Sequence, residues 1–153
     1  MRPVSPKYQL DLMESPLSVK SPVGMNQSEA LQRFERALDL FHIGIAFEEE
    51  EDISKALAFY AEAIEANPNM SPAYLRRGKL NMELGNYNEA LNDLFIYRNQ
   101  QPQCPRVLLY LSRISMNLFL ESNDEYHRNN ARRYLDWSIQ KNLHYSIFRI
   151  NDN

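Results

Sequence analysis

Residues 37–70 read ALDLFHIGIAFEEEEDISKALAFYAEAIEANPNM, and residues 71–104 read SPAYLRRGKLNMELGNYNEALNDLFIYRNQQPQC. Laid one above the other, Gly44 falls on Gly78, Ala56 on Ala90 and Pro68 on Pro102, a step of thirty-four residues each time. A period of this size marks a chain built from stacked supersecondary units, none of which buries its apolar face alone. Within each half, an apolar pattern of helical spacing runs into a polar break, resumes, and stops at a proline. Proline supplies no backbone donor and pushes its predecessor out of the helical region, so each half predicts two helices joined by a turn.

Working outward, Asn26 and Glu29 have the spacing of a capping box and place a helix start there. From that point Leu31, Phe34, Leu38, Phe41 and Ile45 form one stripe, and Ala37, Leu40, Ile43, Gly44 and Phe47 another. A helix apolar on two faces has to be covered twice, which a helical stack does. The helix is expected to end within Glu48–Asp52, where clustered carboxylates oppose the helix dipole and one another. A second helix is expected from about Ser54 to Ala66, with Ala56, Tyr60, Ala63 and Ile64 inward. In the next unit Ser71 is placed to cap and Pro72 to open the helix, and Gly85 gives backbone freedom at the turn position that Glu51 holds one period earlier.

A third unit is expected from Pro105, with Leu108, Leu111, Ser112 and Ile114 repeating the first-helix pattern and Ser112 in place of the glycine. The stretch ESNDEYHRNN, residues 121–130, reads as an enlarged turn, because it sets Ala131 seven residues late. The last helix is expected from Ala131 to about Asn142, with Trp137 in its core or cap. Residues 143–153, with Leu143, Tyr145, Ile147, Phe148 and Ile150, read as a cap folding back over the last unit or else as an adhesive tail. Residues 1–25 contain Pro3, Pro6, Pro16 and Pro22 and read as a flexible tail ahead of a helical domain at 26–142. Ser5, Ser15 and Ser21 each precede a proline and suit proline-directed kinases. Tyr8, Leu10, Leu12 and Met13 suit an extended peptide in a groove.

Composition narrows function. The formal charge of -3 provides no basic field for nucleic acid. It is unevenly spread: residues 37–70 hold eight acids against Lys55, whereas Pro105 onward holds seven cations against five acids. That polarity fits either solvated faces or head-to-tail contact between copies. A single cysteine, Cys104, forms no internal disulfide and fits a reducing compartment, so a cytoplasmic location is expected, with no membrane insertion. His42, His127, His144 and Cys104 share no metal-ligand spacing, and nucleophile-elbow and phosphate-loop motifs are missing. We therefore expect no enzyme, no metal and no cofactor.

The pattern Y-x-x-x-G-x-x-x-x-x-x-G-N-Y-N-E-A-L beginning at Tyr74 resembles the tetratricopeptide repeat, whose unit is about 34 residues long. The resemblance covers about Ala37 to Ile139. It departs at Tyr97, where the family prefers alanine, and at Asn81, where it prefers an aromatic residue. It implies an all-α fold, a short right-handed superhelical solenoid of about three helix-turn-helix repeats. It also implies a non-enzymatic adaptor or chaperone with a concave peptide groove. Carried over by register, the groove residues are Leu38, Phe41 and Ile45, then Leu75, Lys79 and Met82, then Arg106, Leu109, Arg113 and Met116, with Glu48 beside the first set.

Family members that hold acidic chaperone tails use a carboxylate clamp of lysine or arginine and asparagine in the first helix, asparagine in the second, and lysine and arginine in the third. Here Phe41 and Ile45, Arg76, and Arg106 and Tyr110 stand there, and only Arg106 matches. The expected ligand is therefore a protein or peptide segment that is apolar or amphipathic. Two alternatives stay open: a self-assembling scaffold whose groove is filled by its own or a neighbour's tail, and a chaperone like those of type III secretion translocators.

Overall fold

The protein is described by a computed structural model covering residues 26–151, with side chains to Asn142. Expectations for residues 1–25, including the Ser-Pro sites and the Tyr8–Met13 peptide, lie outside the described residues, as do those for the side chains of 143–153. Among the described residues the chain forms six helices, α1 (Gln27–Glu49), α2 (Ile53–Ala66), α3 (Ser71–Glu83), α4 (Tyr87–Gln100), α5 (Arg106–Ser122) and α6 (Glu125–Asn151). They pack as three antiparallel pairs, α1 with α2, α3 with α4 and α5 with α6, and successive pairs meet through α2 with α3 and α4 with α5.

Local chemistry sets the helix ends. The Glu29 amide donates to Asn26 Oδ1 at 2.8 Å, and the Lys55 amide donates to Asp52 Oδ1 at 3.2 Å. Each cap satisfies an amide that would otherwise lack a helical acceptor. Ser71, expected to cap α3, is instead its first helical residue. The cap position is Met70, the Ser71 amide donates to the Asn69 carbonyl at 2.8 Å, and its hydroxyl accepts from Gln101 at 3.4 Å. Every turn between paired helices holds one left-handed residue: Glu51 at φ 61°, Gly85 at φ 80° and Asn123 at φ 53°. Glycine takes this conformation freely and asparagine tolerates it, so Glu51 is the strained member.

The core is built where the periodicity places it. Ala37, Ala63, Met70 and Ala73 form one buried cluster, and Ala56, Tyr60 and Leu80 form a second. The third and largest contains Met82, Ala90, Leu94, Val107, Leu108, Leu111, Ile114 and Tyr134. Gly44 lies against Tyr60, and a Cβ there would come within 2.7 Å of the ring. Trp137 packs at the edge of the third cluster, with the Arg98 guanidinium 5.1 Å and the Arg133 guanidinium 5.7 Å from its ring centre.

Two expectations for the third pair need correction. Residues 121–130 are not an enlarged turn. α5 continues through Ser122 and α6 starts at Glu125, leaving Asn123 and Asp124 as the turn. The seven extra residues lengthen both helices at the tip of the pair, where polar side chains stay solvated. The chain also makes no turn after Asn142, because the α6 backbone stays helical to Asn151.

Candidate functional site

The thirty-four-residue register sets the ten candidate residues on the first helix of each pair, α1, α3 and α5. Phe41, Leu75 and Leu109 are equivalent, as are Ile45, Lys79 and Arg113, so each row crosses all three helices. These helices are bound through their other faces to α2, α4 and α6. Leu38, Leu109 and Met116 are 36%, 43% and 42% exposed. Arg106 and Arg113 are exposed, whereas Phe41, Ile45, Leu75 and Lys79 are half-buried.

Met82 differs from the rest. It is only 4% exposed and packs in the cluster that contains α5 residues Leu108 and Leu111. Its side chain fills the joint between two pairs and has little surface left for a ligand. Phe41 is also anchored from behind: it packs on both clusters under α1, with its ring centre 5.7 Å from that of Tyr60. The available surface thus runs from Leu38 past Leu75 to Leu109 and Met116, edged by Lys79, Arg106 and Arg113.

One polar cluster on this site escaped the sequence reading. Glu48, one turn beyond Ile45, accepts a short hydrogen bond from the Tyr60 hydroxyl, and its other oxygen meets Arg76 Nη1 at 3.1 Å. Three helices meet at one carboxylate. Burial, followed by the hydrogen bond to Glu48, raises the Tyr60 phenol well above its ordinary pKa, so it remains a donor. Arg76 stands at a position compared above with the carboxylate clamp, and here it is held by the protein's own Glu48. The available signal was an acid in an apolar stripe, but its partners lie twelve and twenty-eight residues away.

A second missed pair lies deeper. Arg77 donates to both oxygens of Asp93, at 2.8 and 2.7 Å, joining α3 to α4. The Asp93 side chain is only 4% exposed. The hydrogen bonds to Asp93 raise the Arg77 pKa further, so the guanidinium is permanently charged. Among the described residues no group of three or more His, Cys, Asp and Glu is placed to hold a metal, and no helix is long and apolar enough to cross a membrane.

Residues 48–114, from the end of α1 to the middle of α5, match the tetratricopeptide-repeat family. Three solved structures share the architecture. MamA superposes with a TM-score of 0.64 at 16% identity, covering 72% of this chain and 60% of its own, so this chain spans less than two thirds of that structure. The second TPR of Spaghetti (RPAP3), solved with the HSP90 peptide SRMEEVD, gives 0.61 at 18% identity over 73% of this chain and 97% of its own. The CopN–Scc3 complex gives 0.63 at 13% identity over 80% and 69%. No curated protein matches the chain in sequence. At these identities the likeness is one of fold. With the repeat register, the paired helices and the family match in agreement, residues 48–114 are tetratricopeptide repeat, and the six helices share the fold of solved tetratricopeptide-repeat structures.

Proposed function

We propose that this protein is a non-enzymatic interaction module, an adaptor or chaperone of the cytoplasm, that takes an apolar or amphipathic peptide segment along α1, α3 and α5. The observation that carries this reading is the row of side chains that the three pairs leave uncovered. Leu38, Leu109 and Met116 remain more than a third exposed in a fold that buries their helices' other faces. Apolar contact at roughly 25 cal/mol per Å² of buried surface supplies affinity. Lys79, Arg106 and Arg113 along the edge supply orientation by pairing with carboxylates or carbonyls.

The structural relatives support a role in holding protein segments, since one is bound to a peptide and another is half of a two-protein complex. An acidic peptide like that in the Spaghetti complex is the less suitable ligand here. Phe41 and Ile45 provide no donors, and Arg76 is occupied by Glu48. The test is selection from a random peptide display library, followed by titration of the selected peptides against the intact protein and a Leu109→Glu, Met116→Glu variant. Both positions are exposed, so helicity by circular dichroism should be unchanged. The expected result is selection of peptides with apolar anchors and loss of their binding by the variant. Undiminished binding by the variant, or selection of no peptide, overturns the reading.

A further inference from the structure

The two ends of the stack are finished differently. Ala73 and Leu80 of α3 pack into the clusters that contain α2 residues Ala63 and Tyr60, and their equivalents in α5, Val107 and Ile114, pack with Ala90 and Leu94 of α4. The same register positions in α1 are Asp39 and Ala46, both exposed, so this end has no apolar pair awaiting a preceding helix. At the other end the reverse holds. Tyr60 and Leu94, each four residues after the small alanine of its helix, are 0% exposed. The corresponding residue in α6, four after Ala131, is Leu135. It is 44% exposed, and Ile139 one turn on is 49% exposed. α6 thus presents a helix-packing face that α2 and α4 have covered by the helix that follows.

The covering helix is specified by the two examples in the molecule: apolar side chains seven residues apart, Ala73 with Leu80 and Val107 with Ile114. This chain carries such a segment without a partner among the described residues. α1 begins ten residues before Ala37, the register equivalent of the start of α3 at Ser71, and all of 27–36 is exposed. In and beside that extension, Leu31, Phe34 and Leu38 are 57%, 49% and 36% exposed, with Leu31 and Leu38 seven residues apart. The charges match as well. Glu35 sits between Leu31 and Leu38 on the helix surface, Arg132 sits one turn before Leu135, and neither forms an ion pair among the described residues.

We propose that the α1 extension of one copy packs across α6 of a second copy, occupying the place of the first helix of a fourth pair. Leu31, Phe34 and Leu38 cover Leu135 and Ile139, and Glu35 meets Arg132. Each copy has one donor and one acceptor surface, so the contact is heterologous and yields a reciprocal dimer or a longer chain.

Sedimentation velocity of the intact protein and two double variants, Leu31→Glu with Phe34→Glu and Leu135→Glu with Ile139→Glu, tests this. All four positions are more than 40% exposed, and circular dichroism confirms that the variants remain folded. The unaltered protein should assemble as its concentration rises, and each variant should sediment as a monomer. An equimolar mixture of the two variants should form a one-to-one dimer and nothing larger, because only one donor and one acceptor surface survive in it. A monomeric unaltered protein assigns the α6 face to a different molecule and overturns the proposal. So does continued assembly of either variant, which means that the patch it retains meets its like, and so does a mixture that stays monomeric, which means that the two patches do not join.

Discussion

The second and third helix pairs solve one packing problem in opposite ways. One residue before Gly78, Arg77 reaches across to Asp93 in a two-pronged ion pair with its acid buried. Thirty-four residues on, Leu111 lies in an apolar cluster with Tyr134, which stands three residues after Ala131 as Asp93 stands three after Ala90. The glycine position differs too. A Cβ at Gly78 would sit 3.0 Å from Leu94, which is fully buried above it. In the third pair Ser112 takes that place and its hydroxyl donates to the Ala131 carbonyl at 2.8 Å, while Leu135 remains part-exposed. The backbone scaffold is therefore indifferent to whether charge or hydrocarbon joins the two helices. What it requires is that any buried charge be matched.

The most severe test removes that match. Asp93→Ala leaves the part-exposed Arg77 guanidinium without its buried acceptor and should destabilise the protein by about 3 kcal/mol, the low end for a broken buried pair, in urea unfolding. Transplanting the third pair's residues as Arg77→Leu with Asp93→Tyr should restore most of that loss. If the double variant is as unstable as the single one, the two solutions are not interchangeable.

Next in size is Gly44→Ala. It forces the buried Tyr60 ring to move and should cost roughly 1–3 kcal/mol, less the gain of up to about 1 kcal/mol from better helix propensity. Gly78→Ala, whose nearest neighbours are 3.0 Å or more away, should cost less. An equal loss at the two sites would show that Tyr60 is not the rigid element.

A smaller effect of opposite sign is expected from Glu51→Gly, which gives the first turn the residue that the second already has. Relief of the left-handed strain should raise stability by up to about 1 kcal/mol, read as a higher urea midpoint.

The smallest effect concerns Tyr97, which occupies the position held by Ala63 and Ser138 in the other pairs. Burial, then the hydrogen bond with Cys104, pushes its pKa up to about 12 from the ordinary 10.0. A raised pKa favours the folded state fully below pH 10. That contribution declines as pH rises from 10 toward 12 and is gone above it. The melting temperature should fall across this window, and Tyr97→Phe should flatten part of the fall.

Much of this architecture could be read from the chain because a repeat states each packing rule more than once. Gly44 and Gly78, Ala56 and Ala90, Pro68 and Pro102 give the pairs and their ends, and Asn26 gives the first cap. The tip of the third pair was illegible for a physical reason. Residues 121–130 lie beyond the core, so they form helix without an apolar stripe, and a polar run then looks like a turn. The Glu48–Tyr60–Arg76 and Arg77–Asp93 contacts were hidden because partners on different helices leave no spacing to detect. Met82 shows the limit of register itself: it has the position of a groove residue, but the neighbouring pair lies over it.

The seven residues added to the third pair also bear on how such a protein changes its size. α5 ends five residues beyond the register equivalent of Glu83, and α6 starts six residues before Ala131 where α4 starts three before Ala90. At about 1.5 Å per residue the α5 tip stands some 7 Å further out than that of α3, with Leu120 at 72% exposure near its end. The roots of the helices, which contact the neighbouring pair, are unchanged. Growth at a hairpin tip therefore leaves the solenoid's joints alone, and the Asn123–Asp124 corner is the natural point for grafting a loop or a second domain while preserving the repeat below it.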